Sequence, residues 1–315
     1  MTQFLFLLQI VAPIFVVMAI GFGMRRVGVL TSEADHSLTR LVIVVLAPSL
    51  IFDAILGNDA LRHPENWLLP PVLGFGSVLL GIVCARLGAR VFRVAEGAPR
   101  RTFVFTTSLQ NYGYIPLPIC AALFPGETMG ILFAFCLGVE VAFWSVALWQ
   151  LTGRSALRRW WTMLNPPMAA IPLALVLNGL SAKAWLPTTV TATFDTLGAC
   201  AVPMALILSG ALVADQLDIA ALRQGRRHIL GSIAVRILIV PALMFLFAWL
   251  APLNEKLRAV LVMQAAMPAS IFSLVVTRAY GGDIRVAIQV VIGTSLIGLV
   301  TIPLWLSFGL RWILR

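Results

Sequence analysis

The sequence predicts an all-α membrane protein: ten transmembrane helices in two inverted five-helix repeats, with broken crossover helices 4 and 9. Three observations predict it. Of 315 residues, 60% are hydrophobic and 11% charged, with a mean hydropathy of +0.96. A soluble domain is about half apolar and a quarter charged, so these charges are too few to clothe a surface in water. Second, windows of about 20 apolar residues, the length that spans a bilayer, recur ten times. Third, two of those windows are interrupted near their middle by prolines and amides.

The first five windows run roughly over 4–24, 38–57, 67–92, 101–123 and 127–152, and the second five over 164–181, 188–214, 227–251, 256–279 and 285–311. The first has no basic residue before it and Arg25-Arg26 after it, which suits a spanning helix better than a cleaved signal. The halves are 1–152 and 164–315, joined by a cytoplasmic linker, 153–163. Arginines concentrate after odd-numbered spans, among them Arg90, Arg100, Arg101, Arg154, Arg158, Arg159, Arg223, Arg226 and Arg227. The excess is about two to one and puts those loops in the cytoplasm. Both termini of a multi-pass inner-membrane protein would then be periplasmic.

The repeat is visible in the prolines. Pro13 and Pro167, Pro48 and Pro203, and Pro118 and Pro268 are separated by 154, 155 and 150 residues. Five spans per half is an odd number, so a second half built like the first must be inverted, as in many alternating-access carriers.

The interruption in span 4 is Gln110-Asn111-Tyr112-Gly113-Tyr114-Ile115-Pro116-Leu117-Pro118. Proline lacks an N–H and its ring clashes one turn back, so a regular helix cannot continue here. Freed backbone groups cost several kcal/mol each in hydrocarbon unless they are satisfied, so such a break is expected to line a cavity. Span 9 has its counterpart in Gln264-Ala265-Ala266-Met267-Pro268-Ala269-Ser270-Ile271-Phe272. The N-termini of the two second halves would point at one space with partial positive charge, which suits a carboxylate. Asn111 either contacts that substrate or satisfies the break, and Gln110 can play either part. Tyr112, Pro118, Gln264, Pro268 and Ser270 complete the expected binding set.

Glu140, near the middle of span 5, is a functional candidate because an intramembrane carboxylate is costly. Two roles stay open: carrying a coupling proton or cation, or pairing with Arg236, the basic residue deep in span 8. Gln289 is a second candidate for the cation, although helix–helix hydrogen bonding is the ordinary role of such an amide. His36, His63 and His228 fall at loops, no acid, histidine or cysteine cluster has metal spacing, and no phosphate loop occurs. An enzyme is not expected, nor a cofactor beyond a coupling ion, H+ or Na+. Cys84, Cys120, Cys136 and Cys200 all fall in apolar segments as small core residues. The formal charge of +10 fits loops on an anionic leaflet rather than nucleic acid.

Four stretches resemble the auxin efflux carrier family, which includes the plant PIN proteins and many bacterial organic-anion carriers. They are Pro13 to Leu30, Leu41 to Phe52, Asn111 to Pro118, and Ala265 through Met267-Pro268 to Gly281. The resemblance implies crossing broken helices 4 and 9, an architecture shared with bile-acid sodium symporters. It also implies a scaffold of helices 1, 2, 6 and 7, an elevator-type transport domain of helices 3–5 and 8–10, and a homodimer. Asn111 and Pro118 take the family's crossover positions in helix 4, and Pro268 that in helix 9. The sequence departs at Pro116, where many members carry glycine, and at Phe272, where many carry a polar residue. The expected function is secondary transport of a small organic anion, a mono- or dicarboxylate or auxin-like acid, with membrane lipid as the surrounding partner. The alternative is a non-transporting receptor or sensor on the same fold.

Overall fold

A computed structural model of the chain describes residues 2–153, 165–217, 219–312 and 314. The expected linker beyond Gly153, with Arg154, Arg158 and Arg159, lies outside the described residues, as do the side chain of Arg223 and the tail residue Arg315. Among the described residues the structure is helical, with one isolated backbone bridge and no strand.

Among the described residues, seven helices are long and apolar enough to cross a membrane: α1 (Thr2–Arg26), α2 (Ser32–Ile55), α3 (Glu65–Val91), α6 (Thr128–Thr152), α8 (Thr188–Gln216), α9 (Arg226–Leu250) and α12 (Ile284–Trp312). The protein is therefore a multi-pass membrane protein. Seven such helices stand where the sequence suggested ten, and the other three expected spans are shorter for physical reasons. Span 6 is α7 (Pro166–Gly179), which the Asn165 side chain caps by accepting from the Met168 N–H at 2.9 Å. Span 4 comprises α4 (Ala98–Ser108) and α5 (Pro116–Leu123), and span 9 comprises α10 (Glu255–Ala265) and α11 (Phe272–Ala279). Each pair has 11 and 8 residues, with a non-helical connection over 109–115 or 266–271. Pro116 opens α5, in the first turn, where a missing N–H removes no intrahelical hydrogen bond. Pro118 is the third residue of α5, whereas Pro268 lies in the non-helical connection. These two prolines are thus not equivalent about the breaks.

Helices α6 and α12 form the interior, each with 67% of its spanning window buried, against 28% for α1 and α2. The exposed faces remain apolar, with Val16, Val72, Val83, Leu296 and Val300 all more than half exposed, as lipid contact requires. Without water to drive helices together, association depends on close packing of small residues. Helix α3 lies along α6, and α1 along α8. A Cβ added at Gly74 would come within 2.1 Å of the Phe135 carbonyl oxygen, and one at Gly138 within 1.8 Å of that of Pro71. The pair Gly21 and Gly210 does the same for α1 and α8, at 2.1 Å from Ile207 O and 1.9 Å from Met18 O.

Three spanning helices widen into a π-helical turn, at Val42–Leu46, Phe143–Ala147 and Ile233–Ile239. The first and third come just before Pro48 and Pro241, whose rings would otherwise strike a carbonyl one turn back. Outside the spans, Lys256 donates to the Glu127 carboxylate, joining the start of α10 to that of α6. That hydrogen bond holds the Glu127 carboxyl below the usual carboxylate range.

Gly138→Ala and Gly210→Ala push backbone against backbone and are expected to cost about 1–3 kcal/mol each. Gly76, with open space around its Cβ position, serves as the control. Thermal unfolding in detergent should show lower midpoints for the first two variants and none for Gly76→Ala. An unchanged midpoint for Gly138→Ala would contradict this packing.

Candidate functional site

The two non-helical connections cross and hydrogen-bond to each other. Asn111 N–H donates to the Pro268 carbonyl at 2.8 Å, and Ser270 N–H to the Leu109 carbonyl at 2.9 Å, an antiparallel bridge between Gln110 and Ala269. Side chains satisfy further groups the breaks release. The Thr294 hydroxyl of α12 accepts from Ala269 N–H at 3.2 Å. The Tyr112 carbonyl accepts from Gln264 Nε2 at 3.0 Å and from the Cys136 thiol at 3.1 Å. Such pairing is what the absence of water in a bilayer demands of non-helical backbone.

One side of this crossing faces a cavity of about 350 Å³. Residues 111–114 and 270–272, which lead directly into the N-termini of α5 and α11, line it. Two other groups of residues complete the wall: Phe133, Cys136, Glu140 and Trp144 of α6, and residues of α2 and α7 that include Val42, Ile51, Met168 and Ile171. Most of this surface is apolar, and among the described residues no Lys, Arg or His lines it. Asn111 Oδ1 faces the Ile115 N–H at 3.5 Å. Among the described residues its Nδ2 has no protein partner, and neither do the hydroxyls of Ser270 and Tyr114. The cavity therefore offers a few free donors at the crossing and hydrophobic walls elsewhere.

Glu140 is among the residues that line this space. Its carboxylate accepts from the Tyr112 hydroxyl at 2.7 Å and from the Trp144 indole N–H at 2.8 Å. Of the two roles left open by the sequence, pairing with Arg236 does not occur among the described residues. Trp144 sits four residues after Glu140 on the same helix face, a spacing that could have identified it as the partner. Phe272 stacks into an aromatic group, with ring centroids 5.8 Å from Phe143 and 6.4 Å from Trp144. The residue that departs from the family pattern thus makes this part of the wall apolar.

Four of the nine expected site residues line the cavity: Asn111, Tyr112, Glu140 and Ser270. The other five are not part of its lining. Gln264 holds the Tyr112 carbonyl, and Pro268 supplies a carbonyl to Asn111. Pro118 lies within α5, while Gln289 meets His228 Nδ1 at 2.6 Å through its Oε1. Gln110 faces away from the cavity. Its Nε2 donates to the Ser77 hydroxyl at 2.8 Å, and its Oε1 accepts from Arg236 Nη1 at 3.5 Å. The fully buried Arg236 leaves Nε and Nη2 without a hydrogen-bond partner among the described residues. The α2 and α7 residues of the cavity carried no signal in the sequence, because apolar residues facing a ligand and facing lipid look alike.

A buried guanidinium that loses the one acceptor it has among the described residues is left costly, whereas an apolar side chain in place of the charge removes that cost. Gln110→Leu should therefore destabilise the protein by about 3 kcal/mol, and Arg236→Met should be neutral or stabilising. Thermal unfolding of the two variants checks the contrast. Equal losses would contradict the assigned partnership.

The chain is similar throughout to proteins that move solutes across membranes. The family model described as "Membrane transport protein" matches residues 6–158 and 151–306. An uncharacterized transporter of Methanothermobacter thermautotrophicus is 25% identical over 306 residues, covering 94% of this chain and 96% of the relative. An uncharacterized transporter of Methanocaldococcus jannaschii is 23% identical over 306 residues, covering 95% and 97%. With family matches over both halves, the chain belongs to the membrane transport protein family, that of the auxin efflux carriers.

Proposed function

We propose that the protein is an elevator-type secondary carrier of a small monocarboxylic acid with an apolar body, working in the cell inner membrane with both termini periplasmic. The observation that carries this reading is the pairing of unpartnered donors at the crossing, Asn111 and Ser270, with an otherwise hydrophobic wall. Neutral donors and two helix N-termini can hold a carboxylate without a fixed cation. The apolar remainder suits a hydrocarbon or aromatic body, and its volume is within the range of small-molecule sites. A second carboxylate on the substrate would lie among apolar groups or against Glu140, so a dicarboxylate fits less well.

In this reading the chain is a ten-span inverted repeat whose fourth and ninth spans are the crossing pairs. The matching lengths of the pairs α4–α5 and α10–α11 support it. The scaffold is α1, α2, α7 and α8, and the remaining helices form the moving part. Support for this division comes from the cavity walls, which α2 and α7 form on one side and the crossing with α6 on the other. A site at such an interface changes access when one part slides along the other. Glu140 carries the coupling proton. Its protonation removes like-charge repulsion with the arriving carboxylate, so acid and proton travel together.

Thermal unfolding against acetate, benzoate, phenylacetate, an indole carboxylic acid and succinate tests the substrate class. A ligand that binds the folded state raises the midpoint by mass action. Aromatic monocarboxylates should raise it more than succinate, and Asn111→Ala should lose the effect. Stabilisation by succinate alone, or an undiminished shift in Asn111→Ala, would overturn the reading. Glu140→Gln should abolish dependence of net uptake on a pH gradient while exchange persists. Unchanged gradient dependence would remove Glu140 from the coupling.

A further inference from the structure

A second cavity, of about 410 Å³, lies away from the crossing and is lined by four arginines, Arg86, Arg90, Arg100 and Arg101, with Glu96 and Gln150. Arg86 and Arg90 are in the last turns of α3, Arg100 and Arg101 in the first turn of α4, and Gln150 in the last turn of α6. The cavity thus lies where three membrane-embedded helices share one end, at the level of the interface. Two of its arginines are held in place. Arg86 donates to Gln150 Oε1, with its Nε at 3.0 Å, and Arg100 donates to the Val94 carbonyl at 3.0 and 3.2 Å and to Glu96 at 2.9 Å. Among the described residues, Arg90 and Arg101 have no side-chain partner. Among the described residues, one carboxylate stands against four guanidinium groups, an excess of three positive charges.

Loop arginines that only set topology need to be on the correct side of the membrane; they need not converge on one space. Convergence of forked donors is instead the arrangement that recognises phosphate. The surroundings identify the source of that phosphate. On α3 the arginines share a helix face with Val83 and Leu87, at spacings of three and four residues, and both are more than half exposed, at 56% and 55%. Trp149, beside Gln150, is 48% exposed, which is where an amphipathic aromatic anchors at an interface. A charged cavity that opens onto an apolar, lipid-facing strip matches a molecule with a phosphate head and acyl chains.

We propose that this cavity binds the phosphate headgroup of an anionic phospholipid, with its chains along Val83 and Leu87. Occupation would tie α3, α4 and α6 together at one membrane face. The site is independent of the substrate reading, since it shares no residue with the crossing cavity.

The test is native mass spectrometry and thermal unfolding of the full chain in detergent. The probes are phosphatidylglycerol, phosphatidylcholine and inorganic phosphate. Phosphatidylglycerol should remain bound and raise the midpoint; the other two should do neither. Removal of the two unpartnered guanidinium groups in Arg90→Gln/Arg101→Gln should weaken phosphatidylglycerol binding by about tenfold or more, given about 1 kcal/mol per basic residue at a lipid surface. Arg62→Gln, at a loop elsewhere, should leave it unchanged. Both variants alter exposed side chains, and their unliganded midpoints report whether folding is intact. Equal binding of phosphatidylcholine, an equal effect of inorganic phosphate, or undiminished binding by the double variant would each overturn the proposal.

Discussion

The structure depends on two backbone hydrogen bonds. Asn111 N–H to the Pro268 carbonyl and Ser270 N–H to the Leu109 carbonyl hold together two segments that could not remain non-helical in lipid alone. Each segment supplies the other with partners, and Thr294, Gln264 and Cys136 supply further ones. With these groups satisfied, the chain can place helix N-termini, free amide and hydroxyl donors and a carboxylate in the interior of the molecule. Without them each exposed backbone group would cost several kcal/mol.

The crossing also sorts neighbouring residues onto different sides. Asn111 lines the cavity, while Gln110 turns toward Ser77 and Arg236. In an extended segment successive side chains point to opposite faces, so adjacent amides acquire separate roles. One is available to a ligand and the other satisfies a buried cation. Close helix contacts at Gly74, Gly138, Gly21 and Gly210 set the frame in which this sorting can occur.

The two non-helical segments were legible in the sequence because proline, glycine and amides in an apolar window violate helix chemistry wherever they fall. The apolar, multi-pass character was equally plain from composition. Glu140 was legible because charge is costly in lipid. Its partners were less so: Trp144 follows from helix spacing, but Tyr112 reaches Glu140 from the non-helical segment 109–115. Gln264 and Gln289 drew attention since any intramembrane amide does; Gln264 reaches the Tyr112 carbonyl, and Gln289 meets His228. The walls from α2 and α7 were illegible, as nothing in Val42 or Met168 separates a ligand-facing position from a lipid-facing one. Proline spacing suggested a repeat, yet it paired Pro118 with Pro268, which sit differently about the two non-helical segments.

The central claim is that the crossing cavity is the site of a carrier. It is tested most directly by counterflow in proteoliposomes loaded with unlabelled phenylacetate and diluted into a trace of labelled acid. A carrier that alternates access exchanges the two and accumulates label transiently above equilibrium. The account predicts that overshoot, and its loss in Asn111→Ala. Entry of label to equilibrium with no overshoot would indicate a channel, and binding with no entry would indicate a receptor; either result would contradict the account.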